Sequence, residues 1–204
     1  MGRMNEENGL NKEDFDTKAP KEAEKVSFKE MLWDTVKFAL ISLIIVLPIR
    51  TFIAQPFLVH GASMNPTFAD GDYLIVDQIS YRFNKPERGD VIIFKYPKNP
   101  SKYFIKRIIG LPEETVTIKN RTVSVYSPFY GQINLAEEYI INKDILPRNI
   151  EVTLTDDEYF VMGDNRPASS DSREWGPLSK SFITGKVFVR LLPITDIGIN
   201  PGQQ

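Results

Sequence analysis

Tyr103-Phe104-Ile105-Lys106-Arg107-Ile108-Ile109 is a run of aromatic and β-branched residues holding two adjacent cations. Such side chains favour extended backbone, and seven residues is the length of a strand rather than of a helix. Strand alternation sends Lys106 and Arg107 to opposite faces and surrounds the lysine with apolar bulk. Working outward, similar runs recur at 73–76, 91–94, 116–118, 123–126, 151–154, 159–162 and 186–192, each bounded by Gly, Pro, Asn or Asp. The pieces 116–118 and 123–126, split by Lys119-Asn120-Arg121, predict a hairpin. Residues 127–149 have weak periodicity and two prolines and read as an irregular insertion. With no long 3.6-residue period beyond residue 54, the expected class is mainly β.

The N-terminal quarter is different. Residues 1–30 are polar, carry both charge signs and offer little to bury, so they read as a disordered tail. The uncharged run Phe38-Ala39-Leu40-Ile41-Ser42-Leu43-Ile44-Ile45-Val46-Leu47-Pro48-Ile49 follows. A hydrocarbon core of about 30 Å needs roughly 20 helical residues, so the window must widen. Extending it to 31–54 admits Asp34, Lys37 and Arg50 near its edges, with Trp33 and Phe52 placed as interfacial aromatics. The expectation is a single membrane span; a buried core helix is the alternative reading. A cleaved signal peptide is disfavoured by the long, acidic leader and the missing small-x-small site. Lys21, Lys25, Lys29 and Lys37 precede the span, whereas no basic residue follows Arg50 until Arg82. This bias predicts a cytoplasmic N-terminus with residues 55–204 outside.

Composition narrows the chemistry. The 204 residues suit one domain or a domain plus an appendage. Lys and Arg number 25 against 27 Asp and Glu, a net charge of -2, which argues against a nucleic-acid partner. With no cysteine and one histidine, thiolate catalysis and cysteine- or multi-histidine metal sites are excluded. Catalysis must then use carboxylates, hydroxyls, lysines or arginines, with at most one imidazole.

Three segments could carry it. Gly61-Ala62-Ser63-Met64-Asn65-Pro66-Thr67 sets a serine in an irregular loop that could expose the hydroxyl, although serines in such company also simply make turns. A nucleophilic serine needs a base. His60 is too close in sequence to meet Ser63 readily and reads as structural. An ordinary lysine, pKa about 10.4, is neutral in only ~0.04% of molecules at pH 7, so a lysine base must be desolvated. Lys106 meets that requirement best, unless it faces solvent. The segment Gly163-Asp164-Asn165-Arg166-Pro167-Ala168-Ser169-Ser170-Asp171-Ser172-Arg173-Glu174-Trp175-Gly176-Pro177 is either a solvated loop or one whose backbone is fixed by hydrogen bonds.

Taken together, Arg50-Thr51-Phe52, Ser63-Met64-Asn65-Pro66-Thr67, Arg88-Gly89-Asp90-Val91, Lys106-Arg107-Ile108-Ile109-Gly110-Leu111-Pro112 and the 163–176 loop resemble, in order, the bacterial type I signal peptidase family. The resemblance implies a membrane-anchored Ser-Lys serine endopeptidase that removes signal peptides from exported preproteins. The implied fold is an antiparallel β-sheet catalytic domain over 55–204, with a small accessory β insertion around 112–158, behind one transmembrane helix. It makes Ser63 the nucleophile, Lys106 the general base and Ser169 the hydroxyl that orients the lysine. Asp171 with Arg173, and Arg107 with Asp164, become supporting ion pairs. Val59, Met64, Phe68, Phe104 and Ile105 become the walls of shallow pockets that select Ala-x-Ala sites. Implied partners are signal peptides, the lipid bilayer and the secretion translocon; no metal or cofactor is required. Where some family members carry a second oxyanion-donating serine, this chain has Gly61. Repressors of the SOS response share the dyad chemistry, but an apolar span stands here in place of their DNA-binding domain. A tethered β module without catalysis would be favoured had Ser63 or Lys106 been missing.

Overall fold

The computed structural model describes residues 27–48, 50, 54–120, 122–135, 137–140 and 149–202. The chain divides into two units, residues 1–42 and 43–204. Helix α1 (Phe28–Pro48) starts where Ser27 donates its N–H to the Glu30 carboxylate at 3.2 Å while its carbonyl accepts the Glu30 and Met31 amides. This is half of a capping box, and it begins the helix at Phe28 rather than at residue 31. The other expected boundary also moves. Ala54 opens a strand because its backbone is taken by pairing with Asp77. The 21 residues of α1 would reach roughly 31 Å at ~1.5 Å each. With a mean hydropathy of 1.8 over an 18-residue window, the helix is long and apolar enough to cross a membrane by length and composition. Most of the tail, and residues 49 and 51–53 of the expected span, lie outside the described residues.

The rest of the chain runs β1 (Ala54–Leu58), β2 (Tyr73–Asp77), α2 (Ser80–Phe83), β3 (Val91–Tyr96), β4 (Asn99–Gly110), β5 (Thr115–Lys119) and β6 (Thr122–Ser127). It continues through β7 (Gly131–Asn134), β8 (Ile150–Thr153), β9 (Glu158–Met162), α3 (Ser172–Trp175), β10 (Leu178–Ser179), β11 (Ile183–Leu192) and β12 (Gly198–Ile199). The main sheet has the order β1-β2-β11-β3-β4-β9-β10, with β12 added beside β11, and β7-β6-β5-β8 make a smaller sheet. Every pairing among the described residues is antiparallel.

Burial explains why β3 reads Val-Ile-Ile-Phe without alternation. Val91 and Ile93 join Val59, Met64, Phe68, Leu74, Val76, Ile105 and Val187 in one cluster. Ile92 and Phe94 point the other way, to Ile108, Tyr159, Val161 and Leu178. A strand covered on both faces needs apolar residues at every position. The small sheet packs Val116, Ile118, Val123 and Val125 against Ile109, Phe160 and Met162 of the main sheet. Its β5–β6 turn pairs Lys119 with Thr122, and Asn120 there takes a left-handed φ of 51°. Strand β7 falls inside the stretch expected to be irregular. It has one apolar side chain, Ile133, to advertise it, and its extended backbone is imposed by hydrogen bonds from β6.

Candidate active site

Ser63 lies in the loop between β1 and β2. The foot of the loop is closed by Val59 N–H to Asp72 C=O at 2.9 Å and by Gly71 N–H to Val59 C=O at 3.0 Å. Met64 and Phe68, both fully buried, anchor its floor. Gly61 sits at φ +86°, a conformation that disfavours a side chain, and its N–H donates to Asp70 Oδ1 at 2.7 Å. That amide is therefore committed, whereas among the described residues the Ser63 N–H has no acceptor.

Strand β4 brings Lys106 to this loop. Its register pairs Ile92 with Lys106 and Val91 with Arg107, so the two cations leave the strand on opposite faces. Lys106 is 3% exposed. Its Nζ lies 2.8 Å from Ser63 Oγ, 2.7 Å from the Ile105 carbonyl and 5.4 Å from the centre of the Phe104 ring. No carboxylate forms an ion pair with it among the described residues. Burial lowers its pKa from 10.5 to about 8; the more distant charges of Asp171 and Asp164 pull it upward and Arg173 adds to the lowering. At pH 7 a pKa near 8 leaves roughly a tenth of the lysines neutral, compared with ~0.04% for an unperturbed one.

Arg107 meets the opposite treatment. Its Nε and Nη2 bind both oxygens of Asp164 at 2.9 and 2.6 Å, and Nη1 donates to the carbonyls of Gly89 and Gly202. The guanidinium also lies 4.1 Å from the centre of the Tyr139 ring. Asp164 accepts in addition from Thr67 Oγ1 at 2.6 Å, which ties the Ser63 loop to the same brace.

The 163–173 loop is organised around the buried carboxylate of Asp171. It accepts from Arg173 Nε at 2.7 Å and Nη2 at 2.8 Å, from the Gly163 N–H at 3.0 Å and from Ser169 Oγ at 2.7 Å. The hydroxyl expected to orient the lysine thus donates elsewhere, and Ser169 is not among the hydrogen-bond partners of Lys106 in the described residues. A charged carboxylate is the stronger acceptor and claims the single hydroxyl proton, leaving the oxygen lone pairs of Ser169. Gly163 is required by close approach, since a Cβ there would collide with Ser169 Oγ and the Ser63 carbonyl. Asn165 clasps the nucleophile loop directly, N–H to Ser63 C=O at 3.0 Å and Nδ2 to Ala62 C=O at 2.9 Å.

A groove of about 470 Å³ runs over Ser63 and Lys106. Val59, Phe104 and Ile105 line it, together with Phe57, Leu58, Ile93, Tyr103 and Ala168. The rings of Phe57 and Tyr103, from β1 and β4, approach to 5.2 Å. Met64 and Phe68, expected on its walls, do not line it: their bulk is spent filling the core beneath the loop. His60 lies exposed at the groove, with no hydrogen bond to Ser63.

Thr67, Asn165 and Arg166 were not singled out for a site role from sequence. All three lie inside recognisable motifs, but Asp164, the 62–63 carbonyls and Glu137 reach them from distant segments, and only the Gly163 carbonyl bound by Arg166 is local. The only local signal was the density of polar side chains between Gly163 and Gly176.

The assembled parts are a hydroxyl touching a desolvated amine, a free backbone donor on the same residue and an apolar groove over both. This arrangement can carry out acyl transfer. Comparison with known proteins points the same way. The chain is 39% identical to signal peptidase I of Leptolyngbya laminosa, covering 82% of this chain and 83% of that protein. It is 36% identical to a probable signal peptidase I-2 of Synechocystis sp., with 86% and 80% covered, and 34% identical to signal peptidase I of Bacillus amyloliquefaciens, with 81% and 88% covered. A family model for signal peptidase, peptidase S26, matches residues 32–192, and the chain belongs to that serine endopeptidase family.

Proposed function

We propose that this protein is a membrane-bound signal peptidase I that cleaves exported preproteins with Ser63 as nucleophile and Lys106 as general base. The observation that carries the reading is the 2.8 Å contact between Ser63 Oγ and the buried Nζ of Lys106, which pairs with no carboxylate among the described residues. In the reactive form Lys106 is neutral, and Ser63 O–H donates to its lone pair. As Oγ attacks the scissile carbonyl, the proton passes to Nζ and negative charge develops on the carbonyl oxygen. The Ser63 N–H is the available backbone donor for that charge; Gly61 N–H is held by Asp70. Collapse of the tetrahedral intermediate breaks the C–N bond, and the lysine ammonium protonates the departing amine. A water molecule, deprotonated by the neutral lysine, then attacks the acyl-serine ester and releases the signal peptide.

Asp171 holds the loop beside the lysine through Gly163, Ser169 and Arg173. Arg107 and Asp164 brace the back of the same strand. Small side chains before the cut suit a shallow groove walled by Val59, Phe104 and Ile105, which is the steric basis for Ala-x-Ala selection.

Helix α1 anchors the enzyme in the plasma membrane as a single span, with the tail of residues 1–30 in the cytoplasm and residues 55–204 on the outer face. Lys21 and Lys25 before the helix, Lys29 and Lys37 in its N-terminal half, and the lack of basic residues between Arg50 and Arg82 support that orientation. The bilayer delivers the signal peptide beside the groove as the translocon releases it. Incubation of the full chain in liposomes with a secretory preprotein, followed by N-terminal sequencing, tests this. A single new N-terminus after a small-x-small sequence is expected, and uncleaved preprotein would overturn it.

A further inference from the structure

The loop that carries Ser63 is gripped from a strand with no part in the dyad. Arg190, on β11, donates from Nη2 to the Thr67 carbonyl at 2.9 Å, and its Nη1 lies 3.2 Å from Asp72 Oδ2 at the foot of the loop. Its guanidinium also stands 4.9 Å from the centre of the Phe68 ring. One planar group therefore touches the middle, the floor and the exit of the loop. Asp72 is almost fully buried and passes the constraint on, because Oδ2 accepts the Ala69 N–H at 3.1 Å. Thr67 is held from two sides, its carbonyl by Arg190 and its hydroxyl by Asp164. Among the described residues the buried Nε of Arg190 has no partner, so this side chain is placed for what its other nitrogens reach rather than for its own full satisfaction.

We propose that Arg190, acting with Asp72, is a positioning residue that holds the Ser63 loop at its reactive distance from Lys106. The proposal rests on the reading of Ser63 as nucleophile. Ser63 is four residues from Thr67 in an irregular loop, and such a loop needs external points of attachment to keep a hydroxyl within hydrogen-bonding range of a base on another strand. Displacement of a reacting group by about 1 Å can cost 10²-fold in rate, so a looser grip should appear mainly in turnover.

The test is steady-state cleavage of a preprotein peptide by the full chain in detergent, with thermal unfolding measured on each variant and kinetics run where all are folded. Arg190→Gln should lower kcat by about 10- to 100-fold with KM within about threefold. Arg190→Lys, which keeps the charge but gathers its donors on a single nitrogen, should recover part of that loss. Asp72→Asn combined with Arg190→Met removes both buried charges together, so no unpaired carboxylate remains; it should regain unfolding temperature relative to Arg190→Gln while kcat stays low. The proposal is overturned if folded Arg190→Gln keeps kcat within twofold, if its loss lies in KM alone, or if the double variant regains kcat with its stability. Ser63→Ala is the reference. Loss of cleavage in Ser63→Ala with unchanged Arg190→Gln sinks the positioning role alone; full activity in Ser63→Ala sinks the nucleophile reading and this inference with it.

Discussion

Lys106 and Arg107 are adjacent, both cationic by type and both buried, yet the two faces of β4 treat them in opposite ways. Arg107 is 1% exposed and is given a bidentate carboxylate, two carbonyls and an aromatic ring. Lys106 is given a hydroxyl, one carbonyl and no carboxylate within ion-pair distance among the described residues. A buried cation with a partner keeps its charge and serves as a brace; one without a partner is driven toward its neutral form and becomes a base. Arginine suits the first role because its guanidinium forks onto a carboxylate and does not deprotonate. Lysine suits the second because its pKa moves readily on burial.

The largest effect should come from removing the dyad. Ser63→Ala and Lys106→Ala should each lower kcat by about 10³-fold or more in a preprotein cleavage assay, and the double variant should fall little further because the two groups act as one unit. Additive losses would mean that they do not share a step.

A matched pair of substitutions separates the two faces through stability. Arg107→Met leaves Asp164 buried and unpaired and should destabilise the fold by about 3–5 kcal/mol in chemical denaturation. Lys106→Met should instead stabilise it by roughly 1–3 kcal/mol at pH 7, because the cost of burying an ammonium disappears. The sign follows from linkage. Below about pH 8 folded and unfolded chains both carry the Lys106 proton, so the folded state bears the full cost. Between about 8 and the unfolded value of 10.5 the unfolded chain holds more protons, so stability rises with pH and the advantage of Lys106→Met shrinks. Equal signs for the two substitutions would break the contrast.

The pH dependence of kcat/KM sharpens it further. Activity should rise about tenfold per pH unit on the acid side and level off above about pH 8 as Lys106 loses its proton. A profile flat from pH 6 to 9 would show a base of another kind. The smallest effect belongs to His60→Ala, expected to stay within about twofold of the parent in the same assay, since His60 is exposed and does not bond Ser63. A large loss there would return the imidazole to the list of bases.

Part of this contrast and of the fold around it is legible in the residues themselves. Strands β2 to β6, β8, β9 and β11 lie where β-branched and aromatic runs predict them, because the period-two pattern and the uninterrupted apolar stretches are local records of which faces are buried, whereas β1, β10 and β12 match no predicted run. Strand β7 is not legible, since a Gly-Gln-Ile-Asn segment has no pattern of its own and borrows its shape from β6. The helix boundary moves at Ser27, where a capping signal outweighs the onset of hydrophobicity, and at Ala54, where pairing with Asp77 claims the backbone. Pocket walls are the least legible part. Met64 and Phe68 flank the nucleophile in sequence but turn into the core, while Phe57, Leu58 and Tyr103 form groove surface without any motif to mark them.

The amino-acid sequence alone determined the mainly β class, an apolar N-terminal helix and a short catalytic inventory, with no cysteine, one histidine, and Ser63 and Lys106 in recognisable company. These depend on composition and local periodicity. Only the tertiary structure decided that Lys106 has no carboxylate partner among the described residues and meets Ser63 at 2.8 Å, that Ser169 gives its proton to Asp171, and that Arg190 reaches the nucleophile loop from β11. Each of these turns on which distant groups share a low-dielectric space, and proximity of that kind is set by packing and strand order rather than by neighbours along the chain.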